Sequence, residues 1–224
     1  AFNWLPALPQ LQTDCARILK QANPPVLNTH QTHNMFRKIL KWTGLVLLFI
    51  IIGVAVTTAT RQHLTYTAPY PKVQASTDTA VIAKGRHLAL VTKGCVHCHS
   101  PINNVDSVLK TGKDPSLAGA KKMETPFGDF YAPNLTPDAA TGIAQMTDSE
   151  IARVLRYGVK KNGEAALPFM QGLNMNDEDM TALISYLRSL KPESKPTPPH
   201  EFNLLGRFAK AFMVKPALPT EAVN

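Results

Sequence analysis

From Trp42 to Ala59 the chain runs for 18 residues without a charged side chain, and Ile39 and Leu40 carry the apolar character back past Lys41. At 1.5 Å of rise per residue, a helix of this length comes close to the roughly 20 residues that a bilayer core requires. A cleaved signal peptide is the competing interpretation. Its apolar region would span about 7–15 residues and end in an A-x-A-like site. The run is longer, and Val54-Ala55-Val56-Thr57-Thr58-Ala59 offers no clean site, so a retained transmembrane anchor is expected over residues 35–60. Arg37, Lys38 and Lys41 precede the run and only Arg61 follows closely. That asymmetry predicts a cytoplasmic N-terminus, with everything after about residue 60 outside.

The anchor also explains the charge. The formal net charge is +8, but residues 1–75 hold seven Lys/Arg against one acid, a net of +6. Residues 76–191 hold thirteen against twelve, and the tail adds a net of +1. The excess surrounds the membrane segment and reports topology, so nucleic-acid binding is not supported. Residues 1–34 carry Pro6, Pro9 and Pro24-Pro25 and show no periodicity, so they read as irregular. Met35 opens a basic-then-apolar stretch typical of a protein start, which makes 1–34 either an unusual extension or translated upstream sequence. The lone Cys15 within it reads as an incidental thiol.

Beyond the anchor, residues 61–77 are polar with two prolines after Ala68, as expected of a tether. A compact domain is expected over 78–191. Thr79–Lys93 reads as its first helix, and 100–145, rich in Pro, Gly and Asn, as mostly loop. A short helix over Thr147–Tyr157 has Thr147 as its N-cap, Glu150 three residues on, and Met146 opposite Ile151 as a hydrophobic staple. Asp177–Leu190 is the strongest helix, capped by Asn176 or Asn174, with Met180, Leu183, Ile184 and Leu187 at helical spacing and Pro192 as its stop. No strand pattern of any length appears, so an all-α domain is expected. Residues 192–224 begin as a Pro-rich spacer. The segment 201–214 then mixes apolar and basic positions, suited to packing on the domain, a partner or the membrane surface, with the domain the simplest choice.

The chemistry is concentrated in Cys95-Val96-His97-Cys98-His99. In C-x-x-C-H, two thiols on one helical turn reach the two vinyl groups of one haem, and the adjacent histidine addresses the iron. A zinc ribbon needs a second ligand pair at similar spacing, which the chain lacks. A thioredoxin-like site needs a βαβ setting, which is also missing from the pattern. One covalent haem c is therefore expected on Cys95 and Cys98, with His99 as proximal ligand. Six methionines follow: Met123, Met146, Met170, Met175, Met180 and Met213. Met146 and Met180 belong to the staple and to an apolar helix face, Met213 lies past the spacer, and Met123 stands among charges. Met170, in the apolar loop Leu167-Pro168-Phe169-Met170, is the preferred sixth ligand, with Met175 second and an open position third. His87 and His97 read as surface or packing histidines. A thioether on iron favours the reduced state and excludes small ligands, which implies one-electron shuttling.

With these residues assembled, residues 79–191 resemble class I cytochromes c, in which the motif follows the first helix and a methionine loop precedes the last. The stretches TPFGDFYAPNLTPDAATGI, LPFM and NDEDMTALISYLRSL are similar to cytochrome domains of bacterial alcohol and gluconate dehydrogenase cytochrome subunits, and PPHEFNLLGRFAKAF to the tail of single-haem relatives. The resemblance implies a small helical fold around the haem, with Tyr131 and the Pro133-Asn134 loop lining its pocket. It also implies a place on the periplasmic side of a bacterial inner membrane. Those subunits commonly carry three haem domains, whereas this chain has one motif, which favours a free-standing relay. Lys84, Arg86, Lys93, Lys110, Lys113, Lys121 and Lys122 flank the motif against Asp106, Asp114 and Glu124, a distribution suited to steering acidic redox partners.

Three functions follow from the sequence: a membrane-tethered electron carrier, a permanent haem subunit of a membrane dehydrogenase or oxidase, and a haem sensor or small haem enzyme with an open iron. The first two need redox protein partners and no small-molecule substrate. The third requires that no methionine reach the iron.

Overall fold

The structure, a computed structural model, describes residues 29–170 and 175–217. Two units divide between Val54 and Ala55. The first consists, among the described residues, of helix α1 (Thr29–Thr60) as far as the division. From His33 to Thr60 this helix is long and apolar enough to cross a membrane, and its side chains are exposed from His33 to Thr57. Residues 29–34, expected to be irregular, continue it toward the N-terminus. Cys15 and the rest of the proposed extension lie outside the described residues.

The second unit starts with the last turn of α1. It continues through α2 (Thr79–His87), a π-helical turn (Leu88–Thr92), α3 (Cys95–His99), α4 (Val105–Lys110), strands β1 (Lys122–Thr125) and β2 (Gly128–Tyr131), and α5 (Asp148–Tyr157). A 3₁₀ turn (Pro168–Met170), α6 (Asp177–Ser189), strand β3 (Glu201–Phe202) and α7 (Leu204–Phe212) complete it. The helix starts follow their caps. Asp78 accepts from the Ala80 amide at 2.7 Å, and Thr147 and Glu150 form a reciprocal capping box at 3.2 and 2.7 Å. Of the two asparagines available to α6, Asn176 serves, accepting from Asp179 N at 2.8 Å.

The core is assembled where α2 crosses α6. Leu88, Leu90, Val96, Leu117, Ile151, Met180, Leu183, Ile184 and Leu187 are buried together. At the crossing Gly85 is buried so closely against α6 that a β-carbon there would lie 1.8 Å from the Ala182 carbonyl oxygen. Asp114 then ties both helices to the loop after α4. It accepts from Arg86 Nε at 2.8 and 2.9 Å and from the Tyr186 hydroxyl at 3.1 Å. Arg188 does the same at the far end, donating to Asp148 at 2.9 Å and to the carbonyls of Ile143 (2.9 Å) and Met146.

Two expectations change. The domain is helical but not all-α, because β1, β2 and β3 form an antiparallel sheet in that order, with Lys122 opposite Tyr131 and Gly128 opposite Phe202. Four-residue strands joined at a Pro-Phe turn give no alternation long enough to read. Nor do residues 61–77 hang free as a tether. Tyr66 N donates to Gly163 O at 2.8 Å, Val73 enters the core, and Ala75 and Ser76 donate to Asp148 and Ser185, each at 2.8 Å. Arg153, only 6% exposed, reaches the carbonyls of Ala68 (3.2 Å), Tyr66 (3.4 Å) and Lys160 (3.1 Å) and stacks on Tyr70.

Replacing Gly85 with Ala forces α2 and α6 apart, so Gly85→Ala is expected to destabilise the domain by about 1–3 kcal/mol, the range of core overpacking. Guanidinium unfolding of the detergent-solubilised protein measures it, and an unchanged midpoint would refute the crossing as drawn.

Candidate functional site

The C-x-x-C-H segment becomes a single helical turn because the chain is redirected immediately before it. Gly94 takes a left-handed φ of 63° as the N-cap of α3. The π turn and the burial of Val96 then fix which face of α3 points inward. Cys95 and Cys98 are half-buried and are not joined in a disulfide. Burial pushes the Cys95 thiol above its ordinary range. No cluster of three or more His, Cys, Asp or Glu side chains able to hold a bare metal ion occurs among the described residues.

His99 is 1% exposed, and its Nδ1 lies 2.8 Å from the Pro133 carbonyl oxygen. A carbonyl only accepts, so Nδ1 carries the proton. Burial lowers the histidine's pKa, opposed by that hydrogen bond, and the ring is neutral. Nε2 is therefore a lone-pair nitrogen, and it is buried without a hydrogen-bond partner. A ligating histidine has this form: one nitrogen held by a backbone carbonyl, the other aimed at a metal. A haem iron fits the orphaned atom, and the two thiols one turn away fit covalent attachment of its ring.

The carbonyl is held in turn. Segments 117–121 and 131–135 run side by side, with Leu135 N to Leu117 O at 3.0 Å, Ala120 N to Ala132 O at 2.8 Å and Gly119 N to His99 O at 2.7 Å. Gly119, at φ 71°, passes so close that a β-carbon would stand 2.5 Å from the Pro133 carbonyl. Asn134, 2% exposed, accepts from Thr136 N and Oγ1 at 2.9 and 2.8 Å and donates to Glu193 O at 2.7 Å and Thr141 Oγ1 at 3.0 Å. Its amide holds the loop that presents Pro133. Tyr131 is half-buried, and its backbone amide donates to His200 Nδ1 at 3.2 Å. His87 and His97 are exposed, and His97 has its ring nitrogens 3.3 Å from Gly94 O and Asp106.

On the other side, α5 ends at Gly158 with φ 64°, and a tight turn follows: Lys160 N to Glu164 O at 2.9 Å and Ala166 N to Gly158 O at 2.7 Å. That turn delivers Pro168–Met170, where Met170 is partly buried and its amide donates to Leu167 O at 2.8 Å. Phe169 leans on the buried Phe130 of β2, ring centres 6.1 Å apart, and Phe130 also meets His200 and Phe202 at 5.6 and 5.1 Å. Met175 and Met180 are core residues, 3% and 0% exposed, Met146 packs on that core, Met123 lies in β1 opposite Phe130, and Met213 is exposed. Residues 171–174 are outside the described set.

Sequence inspection missed Pro133 O as the partner of His99, His200 and Arg153. The first is a backbone atom, and the other two act through partners more than 65 residues away in sequence. Because only glycine fits beside Pro133, Gly119→Val is expected to shift that carbonyl and break its hydrogen bond. The His99 Nδ1–H proton signal, present in the wild type, should move or vanish in NMR spectra of the variant.

Comparison with known proteins agrees with this geometry. The sequence model of the cytochrome c family matches residues 82–191. The chain is 36% identical over 112 residues to the gluconate 2-dehydrogenase cytochrome c subunit of Pantoea cypripedii, covering 49% of this chain and 23% of that protein. Against the alcohol dehydrogenase (quinone) cytochrome c subunit of Gluconacetobacter polyoxogenes it is 32% identical over 123 residues, covering 53% and 24%. It is 29% identical over 135 residues to the fructose dehydrogenase cytochrome subunit of Gluconobacter japonicus, covering 58% and 26%. The chain thus spans about a quarter of the length of these relatives. The family implies a covalently bound haem c, and the motif, the neutral buried histidine and the matched segment converge: residues 82–191 are a cytochrome c domain.

Proposed function

We propose that this chain is a membrane-anchored, mono-haem cytochrome that passes single electrons between redox proteins on the periplasmic side of a bacterial inner membrane. The observation that carries the proposal is the orphaned, lone-pair Nε2 of His99 inside the C-x-x-C-H turn. Cys95 and Cys98 would hold the haem through thioether links, and His99 and Met170 would be its axial ligands. The bound haem supplies one-electron oxidation and reduction. The chain's residues fix its setting: Pro133 orients His99, Phe130 braces the Met170 loop, and the buried core excludes water. Elimination supports Met170, since Met175 and Met180 are core residues and Met213 is exposed just past the last helix. α1 serves as the anchor, with its N-terminus cytoplasmic.

Docking by a broad basic face has less support than the sequence suggested. Lys84 pairs with Glu178 and Asp179 at 2.7 and 2.8 Å, Arg86 with Asp114, and Lys122 with Glu124 and Asp129 at 2.9 and 2.8 Å. Lys121 donates to His97 O at 2.8 Å, at the end of α3. A second reading, a permanent haem subunit, is favoured by relatives named as cytochrome subunits of dehydrogenases. Co-purification with a membrane dehydrogenase at fixed stoichiometry would select it over the free carrier.

The ligand set is tested optically. Oxidised wild-type protein should show the weak far-red sulfur–iron band and refuse CO when reduced. Met170→Ala should lose the band, bind CO and have a lower reduction potential. A wild type without the band that binds CO would install the sensor or enzyme instead. Replacing Cys95 and Cys98 together with Ala should leave haem extractable by acidified organic solvent, whereas wild-type haem stays with the protein.

A further inference from the structure

Helix α7 has one covered side and one bare side. Gly206 and Ala211 are buried, whereas Leu204 is 84% exposed, Leu205 53%, Phe208 43% and Phe212 36%. At 100° per residue these four apolar side chains share one face. Phe208 and Phe212 stack on it, ring centres 4.7 Å apart, and Met213 follows at 69% exposure. The helix carries no acidic side chain, and its Arg207 and Lys210 lie off the apolar face.

Its placement is firmly determined at both ends. Asn203 caps it, accepting from Gly206 N at 2.9 Å, and also donates to Pro126 O at 2.9 Å, while its amide donates to Phe127 O at 3.2 Å. The start of α7 therefore rests on the turn between β1 and β2, where Phe127 is itself 39% exposed. At its other end, Arg61 Nε donates to Ala211 O at 2.9 Å and its guanidinium lies over the Phe212 ring. Gln62 Nε2 bridges Arg207 O at 3.0 Å and Thr58 O at 2.8 Å. Arg61 N in turn bonds Thr57 O at 3.1 Å, so the clasp is continuous with the last turn of the apolar helix α1.

We propose that α7 lies in the interfacial layer of a phospholipid bilayer, with Leu204, Leu205, Phe208 and Phe212 among the acyl chains beside the point where α1 leaves the membrane. Amphipathic helices with basic flanks and a Leu/Phe face take this position, cations toward anionic headgroups. The inference rests on the reading of α1 as a membrane anchor. It adds a second attachment, which sets the orientation of the haem domain.

The test uses the full haem-loaded chain in vesicles of phosphatidylethanolamine and phosphatidylglycerol containing a phospholipid with a photoreactive diazirine on its acyl chain. After illumination, lipid adducts are mapped by mass spectrometry. Adducts are expected on peptides covering 42–59 and on peptides covering 204–213, but not on those covering 105–110. The Leu204→Gln/Phe208→Gln variant should lose the second set, keep the first and retain the wild-type visible spectrum. Adducts on 42–59 with none on 204–213 would overturn the proposal while leaving the anchor intact, and would assign the bare face to a partner chain or to water. Absence of both sets would overturn the anchor reading as well.

Discussion

The contact between Gly85 and the Ala182 backbone is the constraint on which the rest of the domain depends. Two helices almost a hundred residues apart in sequence meet there with no side chain between them, and their approach brings Met180, Leu183, Ile184 and Leu187 over Leu88 and Leu90. The C-x-x-C-H turn hangs from the end of the first of these helices. The π turn and Gly94 carry the chain from the crossing directly into the C-x-x-C-H turn, so the position of the two thiols and of His99 is set by how α2 sits on α6. Asp114, shared by Arg86 and Tyr186, locks that angle from outside the core, and burial with the Asp114 charge holds the Tyr186 hydroxyl in its protonated, donating form.

The small sheet gives the site its second wall. One continuous stretch, residues 128–135, supports both His99 and the Pro168–Met170 turn. Pro133 O fixes His99 at one end, and Phe130 supports Phe169, the neighbour of Met170, at the other. Phe202 and His200 close over Phe130 from the C-terminal segment, so the tail is part of the site's support although it contributes no proposed ligand. A single stretch supporting both proposed ligand loops suits electron transfer, where the geometry around the metal should change little between oxidation states.

What was legible in the sequence follows a physical division. Helix starts announced themselves because caps are local: Thr147 with Glu150, Asn176 before three acids, Pro192 as a stop. The attachment motif was legible because its chemistry is fixed by spacing within five residues. The hairpin was not, since each strand is four residues long and the turn contains Pro126. The resemblance points to the Pro133-Asn134 loop; the Asn134 amide holds that loop, and the group that meets His99 is the preceding backbone carbonyl, which no side-chain pattern reveals. The segment 61–77 looked like a tether because its composition is polar and Pro-rich. Composition does not register that the buried guanidinium of Arg153, more than 80 residues on, gathers its carbonyls.

That last correction bears on how the protein works. A flexible linker of about 17 residues would let a domain range over roughly 20–25 Å from its anchor. Here residues 61–77 are part of the folded unit, from Arg61 at Ala211 to Ser76 at Ser185, and do not form a free spacer. For the proposed anchored carrier, a folded linker in place of a free spacer suits partners that come to the membrane surface or are fixed there. The ion pairs of Lys84 and Lys122 point the same way, because long-range steering matters most for encounters between freely diffusing proteins. With α1 as the proposed anchor, the folded linker and the paired surface charges favour partners already resident at the membrane, whether as neighbouring complexes or as subunits of one assembly.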